Sequence, residues 1–237
     1  MPPRSTQAAD PLDTIAWVLG LRSWVAGERV VVVGAGAASL VASLGRADGV
    51  AVTGLIGRPE AHAAPGRAVA VASSRAWPVR GASVEVAVVG PVEDLGGSLA
   101  ELARALVPGG EALVVARGES HHRELDELVL AATGTGPARG PRSSAEAAEA
   151  ALSEAGPALV VDGVARWSET VALDEPRALL RAVQALRPNL VGRLSGFTNW
   201  TTVMARAQAR VEAAAAQRGG ASITVDLTAL HVRRGER

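Results

Sequence analysis

Residues 30–33 read Val-Val-Val-Val and run directly into Gly34-Ala35-Gly36, after which 37–44, AASLVASL, continues in small and apolar residues. A strand this apolar on both faces belongs in the centre of a parallel sheet covered on both sides. Parallel neighbours need crossover connections, so the chain is expected to alternate strand and helix. Glycine suits the turn because a Cβ there would block close approach of backbone or ligand. In open α/β sheets that turn, at the carboxyl end of a central strand, is where nucleotide-type ligands approach.

The remaining pattern agrees. Asp13 is placed to cap a helix running to about Val25, with Ile15, Leu19 and Trp24 on one face, and Gly27 ends it. Strands are expected at 29–33, 50–55, 68–72, 84–89 and 112–116. A helix over 97–106 carries Leu99, Leu102 and Leu106 at helical spacing, and Pro108-Gly109-Gly110 stops it. A helix follows at 121–132. Ser143 and Glu146 form a capping box for the next. A sixth strand is expected at 159–164, resuming through 170–173. Helices follow at 175–186 and 199–217, and an alternating strand at 222–232 ends the fold.

Composition removes several classes of function. The chain has 237 residues, enough for one α/β domain, and no Cys, so no disulfide or thiolate chemistry. Its basic residues are all Arg, which excludes a phosphate loop that depends on Lys. A formal net charge of +0 argues against a nucleic-acid binder, and the terminal RRGER lacks interleaved aromatic residues. No uncharged apolar run reaches the length of about 18 residues that crosses a bilayer. The first residues, MPPRSTQAADPLD, lack the apolar core of a secretion signal. A soluble, cytoplasmic protein is the expectation, with 1–12 flexible and 13–237 a single domain. No metal-ligand set is expected, and homo-oligomerisation is left open.

These pieces, in this order, resemble the cofactor half of a class I S-adenosylmethionine-dependent methyltransferase. The first carrier is the strand and glycine turn at 30–38. The second is the stretch LAELARALVPGGEALVV at 99–115, a helix ending in Pro-Gly-Gly before the fifth strand. Residues 74–79 and ALSEAG at 151–156 are further likenesses, so the resemblance covers about 30–164, with the strand at 222–232 agreeing in kind. It implies a doubly wound, seven-stranded, mostly parallel sheet whose last strand is antiparallel. It also implies a cofactor site at Gly34, Ala35, Gly36, Ala38, Ile56, Ser73, Ser74, Trp77 and Glu85, and a variable helical segment at 174–219 for substrate.

The family's acidic residues are missing from this site. The acid two residues before the first glycine is Val32 here. The ribose-binding acid ending the second strand is Ile56, and the one near the adenine amine is Ser73. Carboxylates suit those positions because they accept two hydroxyl bonds or pair with the ammonium. An acid common at the start of the fourth strand is kept, as Glu85. Backbone amides at 34–37, the hydroxyl of Ser73 and Glu60 are the available substitutes. Two readings therefore stand together. One is a methyltransferase-like protein acting on a small molecule with an atypical site. The other is a degenerate relative, serving as partner subunit, binding protein or catalyst of another reaction in the same cleft, with cofactor binding weakened or lost. A third, an NADP-binding reductase, rests on Arg58 near the end of the second strand.

Methyl transfer often uses a general base. His121 and His122, after the fifth strand, and Glu93, after the fourth, are the candidates. The plainer reading makes the histidines solvated surface residues, and makes Glu93 and Asp94 helix-start acids that favour the dipole. Trp77 either lies against an adenine or fills the core beside Pro78. Trp200, with Phe197 and Asn199, either walls an apolar pocket or seals a contact. His62 reads as a loop residue and His231 as a structural one.

Overall fold

The computed structural model describes residues 14–34, 37–44, 51–56, 68–71, 75–90, 92, 94–124, 126, 127, 130, 145–154, 158–173, 205, 206, 208, 209, 212, 213, 216, 217 and 221–236. Among the described residues there are seven strands: β1 (Arg29–Val33), β2 (Ala51–Ile56), β3 (Ala68–Val71), β4 (Val84–Val89), β5 (Leu106–Arg117), β6 (Leu159–Leu173) and β7 (Ala221–Arg234). The labelled helices are α1 (Thr14–Gly20), α2 (Ala37–Leu44), α3 (Leu95–Ala105) and α4 (Ala145–Glu154). The strands lie in the order β3-β2-β1-β4-β5-β7-β6. The chain divides into two compact units, one of 1–118, 141–166 and 227–237, the other of 119–140 and 167–226.

In the first unit β1 is central and parallel to both neighbours. Val33 lies beside Leu55 of β2 and Val89 of β4. Val30, Val31, Val32 and Val33 are all buried. Alternate residues serve opposite faces. Val31, Val33, Ala87, Val89 and Val114 join Leu99 and Leu102 of α3 and Ala148 and Leu152 of α4 in one cluster. Val30, Val32, Val86 and Val88, of opposite parity, are equally buried. Helix α2 packs against β1 and β2. Its buried Ala37, Leu40, Val41 and Leu44 fall at helical spacing. β7 is antiparallel to β5, from Glu111 beside Arg233 to Arg117 beside Leu227. The doubly wound sheet with an antiparallel late strand is thus present.

Several local expectations need correction. α1 ends at Gly20, so Trp24 is not on its face. Instead the indole donates to the Leu19 carbonyl at 2.9 Å, and the Arg22 guanidinium lies 5.0 Å from the ring centre. β6 is one continuous strand rather than two. β5 begins at Leu106, ahead of the Pro-Gly-Gly phrase, not after it. Val84 pairs with Leu106 but Val86 pairs with Glu111, so 107–110 bulge out of the ladder. The glycines make this bulge feasible. Gly109 has φ +74°, and a Cβ on Gly110 would lie 2.9 Å from the Val107 carbonyl oxygen and 3.1 Å from that of Glu85. The expected helices at 175–186 and the segment at 1–12 lie outside the described residues. The described residues between 205 and 217 are helical.

The two nearest atoms facing a Cβ at Gly110 are backbone oxygens, so neither yields without moving the chain that carries it. Gly110→Ala is expected to cost about 1–3 kcal/mol, read as a lower urea midpoint with an unchanged slope.

Candidate functional site

The carboxyl ends of β1, β2 and β4 are adjacent, which brings Gly34, Ile56 and Gly90 to one edge of the sheet. Gly34 has φ +102°, a left-handed conformation that favours glycine. A Cβ there would meet Val92 Cγ1 at 3.0 Å and the Gly90 carbonyl at 3.3 Å. The Gly90 amide donates to the Val33 carbonyl at 2.7 Å, which pins the two strand ends together. The protein's own packing therefore requires this glycine whether or not a ligand is present. Val32, where the family has an acid, is buried within β1. Ile56 is the last residue of β2, and Ala38 lies in the first turn of α2. Ala35, Gly36, Ser73, Ser74 and Glu93 lie outside the described residues, as do Arg58, Glu60, His62, Phe197 and Trp200.

The polar group that the sequence did not reveal at this edge is an ion pair. Arg75 Nε donates to Asp94 Oδ2 at 2.6 Å. The Asp94 carboxylate also accepts the Gly97 amide at 2.9 Å, capping α3. Hydrogen bonding to Asp94 raises the Arg75 pKa. Gly97 makes room for the pair, since a Cβ there would lie 2.6 Å from Arg75 Cγ and 2.5 Å from Asp94 Oδ2. Behind it, Glu101 accepts the Trp77 amide at 2.8 Å and binds Arg104, which donates to the carbonyls of Trp77 and Val79. These bonds clamp 77–79 to α3. Trp77 is a core residue, 4% exposed, so packing is its visible role. Its indole N–H has no acceptor among the described residues.

Glu85 does not join this edge. It is the second residue of β4, and its carboxylate binds the amide and guanidinium of Arg29, the first residue of β1. Four residues of strand, about 13 Å, separate it from the end of β4. The hydrogen bond from Arg29 holds its pKa below the usual carboxylate range. Its observed partner makes it a strut at the amino ends of the strands.

The histidines belong to the second unit. His121 and His122 are 7% and 6% exposed, so they are not the solvated pair that their sequence context suggests. They precede the helical turn beginning at Arg123 rather than start it. Their rings stack with centroids 3.7 Å apart. His122 has φ +56°, and its amide donates to the Thr224 carbonyl at 2.8 Å. His121 Nδ1 accepts the Asp226 amide at 3.2 Å, which in a neutral ring places the proton on Nε2. That lone pair is therefore engaged by the backbone. Asp226 in turn accepts the Ser120 amide at 3.1 Å. Beneath them Glu124, 6% exposed, accepts the Thr224 amide at 2.9 Å and its hydroxyl at 2.5 Å. Among the described residues no group of three or more His, Asp or Glu could hold a metal.

Burial alone would raise the Glu124 pKa, but the bonds from Thr224 and Arg123 outweigh it and the net shift is downward. A lowered folded-state pKa gives stability that is full above the unfolded value, about 4.3. That stability is lost as pH falls through the folded value. Glu124→Gln is expected to lose about 1–3 kcal/mol at neutral pH. In urea titrations, its deficit against wild type should shrink steadily below about pH 4.3.

No family model matches this chain, and no curated protein sequence does either. Its fold is shared with solved structures. A candidate methyltransferase of Bacillus halodurans superposes with a TM-score of 0.57 at 11% identity, covering 94% of this chain and 99% of that one. The [4+2]-cyclase SpnF gives 0.54 at 16% identity over 93% of this chain and 79% of its own. A phosphoethanolamine N-methyltransferase of Haemonchus contortus, solved with phosphomonomethylethanolamine and S-adenosylhomocysteine, gives 0.53 at 12% identity, over 93% of this chain and 52% of its own. With this strand order and these likenesses, the chain has the class I S-adenosylmethionine-dependent methyltransferase fold.

Proposed function

We propose that this protein is a methyltransferase-like protein that takes S-adenosylmethionine at the carboxyl edge of β1, β2 and β4 and acts on a small molecule. The observation that carries the reading is the register that sets Gly34, Ile56 and Gly90 side by side. The buried indole N–H of Trp77, without an acceptor among the described residues, supports it. The described residues fit such a ligand in backbone path but not in polar clamps. Val32 is buried and apolar, Ile56 is apolar, and Asp94 is engaged by Arg75 and Gly97. Ser73, Glu60 and the amides at 34–37 are the substitutes this reading relies on.

Each charge-assisted hydrogen bond lost costs about 1.5–3 kcal/mol. Two or three such losses weaken binding by about two to five decades. Isothermal titration with S-adenosylmethionine is expected to show weak binding that S-adenosylhomocysteine competes away. No heat and no competition at millimolar cofactor would remove this reading.

A second reading keeps the fold without methyl transfer: a partner subunit, a binding protein or another catalyst in the same cleft. The buried Val32 favours it. A [4+2]-cyclase among the structural neighbours supports the last form. Ile56→Asp separates the two. A gain in cofactor affinity of about tenfold or more marks a decayed adenosyl site. Loss of fold or no gain marks a cleft rebuilt for something else.

A further inference from the structure

Strand β6 ends the sheet order, paired through β7. It is 15 residues long and contains no proline. Natural sheets blunt such edges with short strands, prolines or bulges, because unpaired amides and carbonyls template pairing with another chain. Here exposed apolar groups stand between the charged ones. Val160 and Val164 are 50% and 49% exposed, and Val161 is exposed as well. Within the first unit, Val160, Asp162, Val164 and Arg166 alternate with Val161, Gly163 and Ala165, so they line one face.

The charges on that row are arranged for self-pairing. Asp162 lies two residues before Val164 and Arg166 two residues after it. If two copies meet antiparallel on a two-fold axis through Val164, each Asp162 stands opposite the other copy's Arg166. Val164 then stands opposite itself. Cross-strand opposite charges and β-branched pairs both favour such a register. A two-fold interface is self-complementary in this sense. Among the described residues Asp162 makes a 3.9 Å contact with Arg233. A carboxylate accepts from more than one donor, so that contact leaves capacity for a second arginine.

We propose that β6 is a homodimerisation edge, joining two copies antiparallel about Val164 and closing the exposed side of the sheet with two Asp162–Arg166 ion pairs. This is independent of what the cleft binds.

Light scattering of the full chain over a concentration series is expected to show a dimer in reversible equilibrium with monomer. Arg166→Asp sets two carboxylates against each other at each end and should weaken the dimer by about tenfold or more, with an unchanged circular dichroism spectrum. The double variant Asp162→Arg, Arg166→Asp restores opposite charges and should restore the dimer. The chain has no cysteine, so Val164→Cys should cross-link to itself on oxidation. Val160→Cys, offset by eight residues from its counterpart in that register, should not. A monomeric wild type at all concentrations overturns the proposal. So does a dimer unaffected by Arg166→Asp, or cross-linking at 160 equal to that at 164.

Discussion

Burial of Val30–Val33 on both sides of one strand is the constraint on which the rest of the first unit depends. Four consecutive valines cannot face water on either side without losing the burial that stabilises them. β1 is therefore held between β2 and β4, with Val31 and Val33 facing α3 and α4 and the alternate residues buried on the opposite parity. Once β1 is central and parallel, its carboxyl end becomes a shared edge with its neighbours. The glycine turn is forced to pass under Gly90 and Val92, and that is why Gly34 cannot carry a side chain.

The neighbouring edge is organised by α3. Asp94 caps the helix and holds Arg75, Gly97 leaves space for both, and Glu101 with Arg104 ties down 77–79. At the other end of the same helix, Arg234 donates to the Leu106 and Arg104 carbonyls where α3 passes into β5. The bulge at 107–110 then restores register with β4. Two phrases that resemble motifs of a cofactor family thus have sufficient structural causes of their own. The functional reading rests on where the strand ends meet, not on the glycines as such.

In the second unit, polar groups are buried together with Ile223 and Val225. Glu124 keeps its charge beneath the surface because Thr224 offers it both an amide and a hydroxyl. The His121 ring accepts the Asp226 amide, the Asp226 carboxylate accepts the Ser120 amide, and the two imidazoles stack. Such groups are costly to bury unless each is bonded. The network is a framework for the turn after β5.

The sequence by itself determined the α/β class, β1 and β4 to the residue, and the apolar face of α3 at Leu99 and Leu102, because each depends on local periodicity and turn chemistry. It also determined that the side chains of Val32 and Ile56 cannot accept hydrogen bonds. It placed Trp24 on a helix that ends earlier, set β5 after a bulge that lies inside it, and left His121 and His122 at the surface. The Arg75–Asp94 pair, the Arg29–Glu85 strut and the Glu124–Thr224 bonds were not legible. Their partners lie 19, 56 and 100 residues apart in the chain. Only the tertiary fold decides such pairings, because a side chain's charge and burial depend on what the chain brings against it from far away, while its strand or helix depends on the residues beside it.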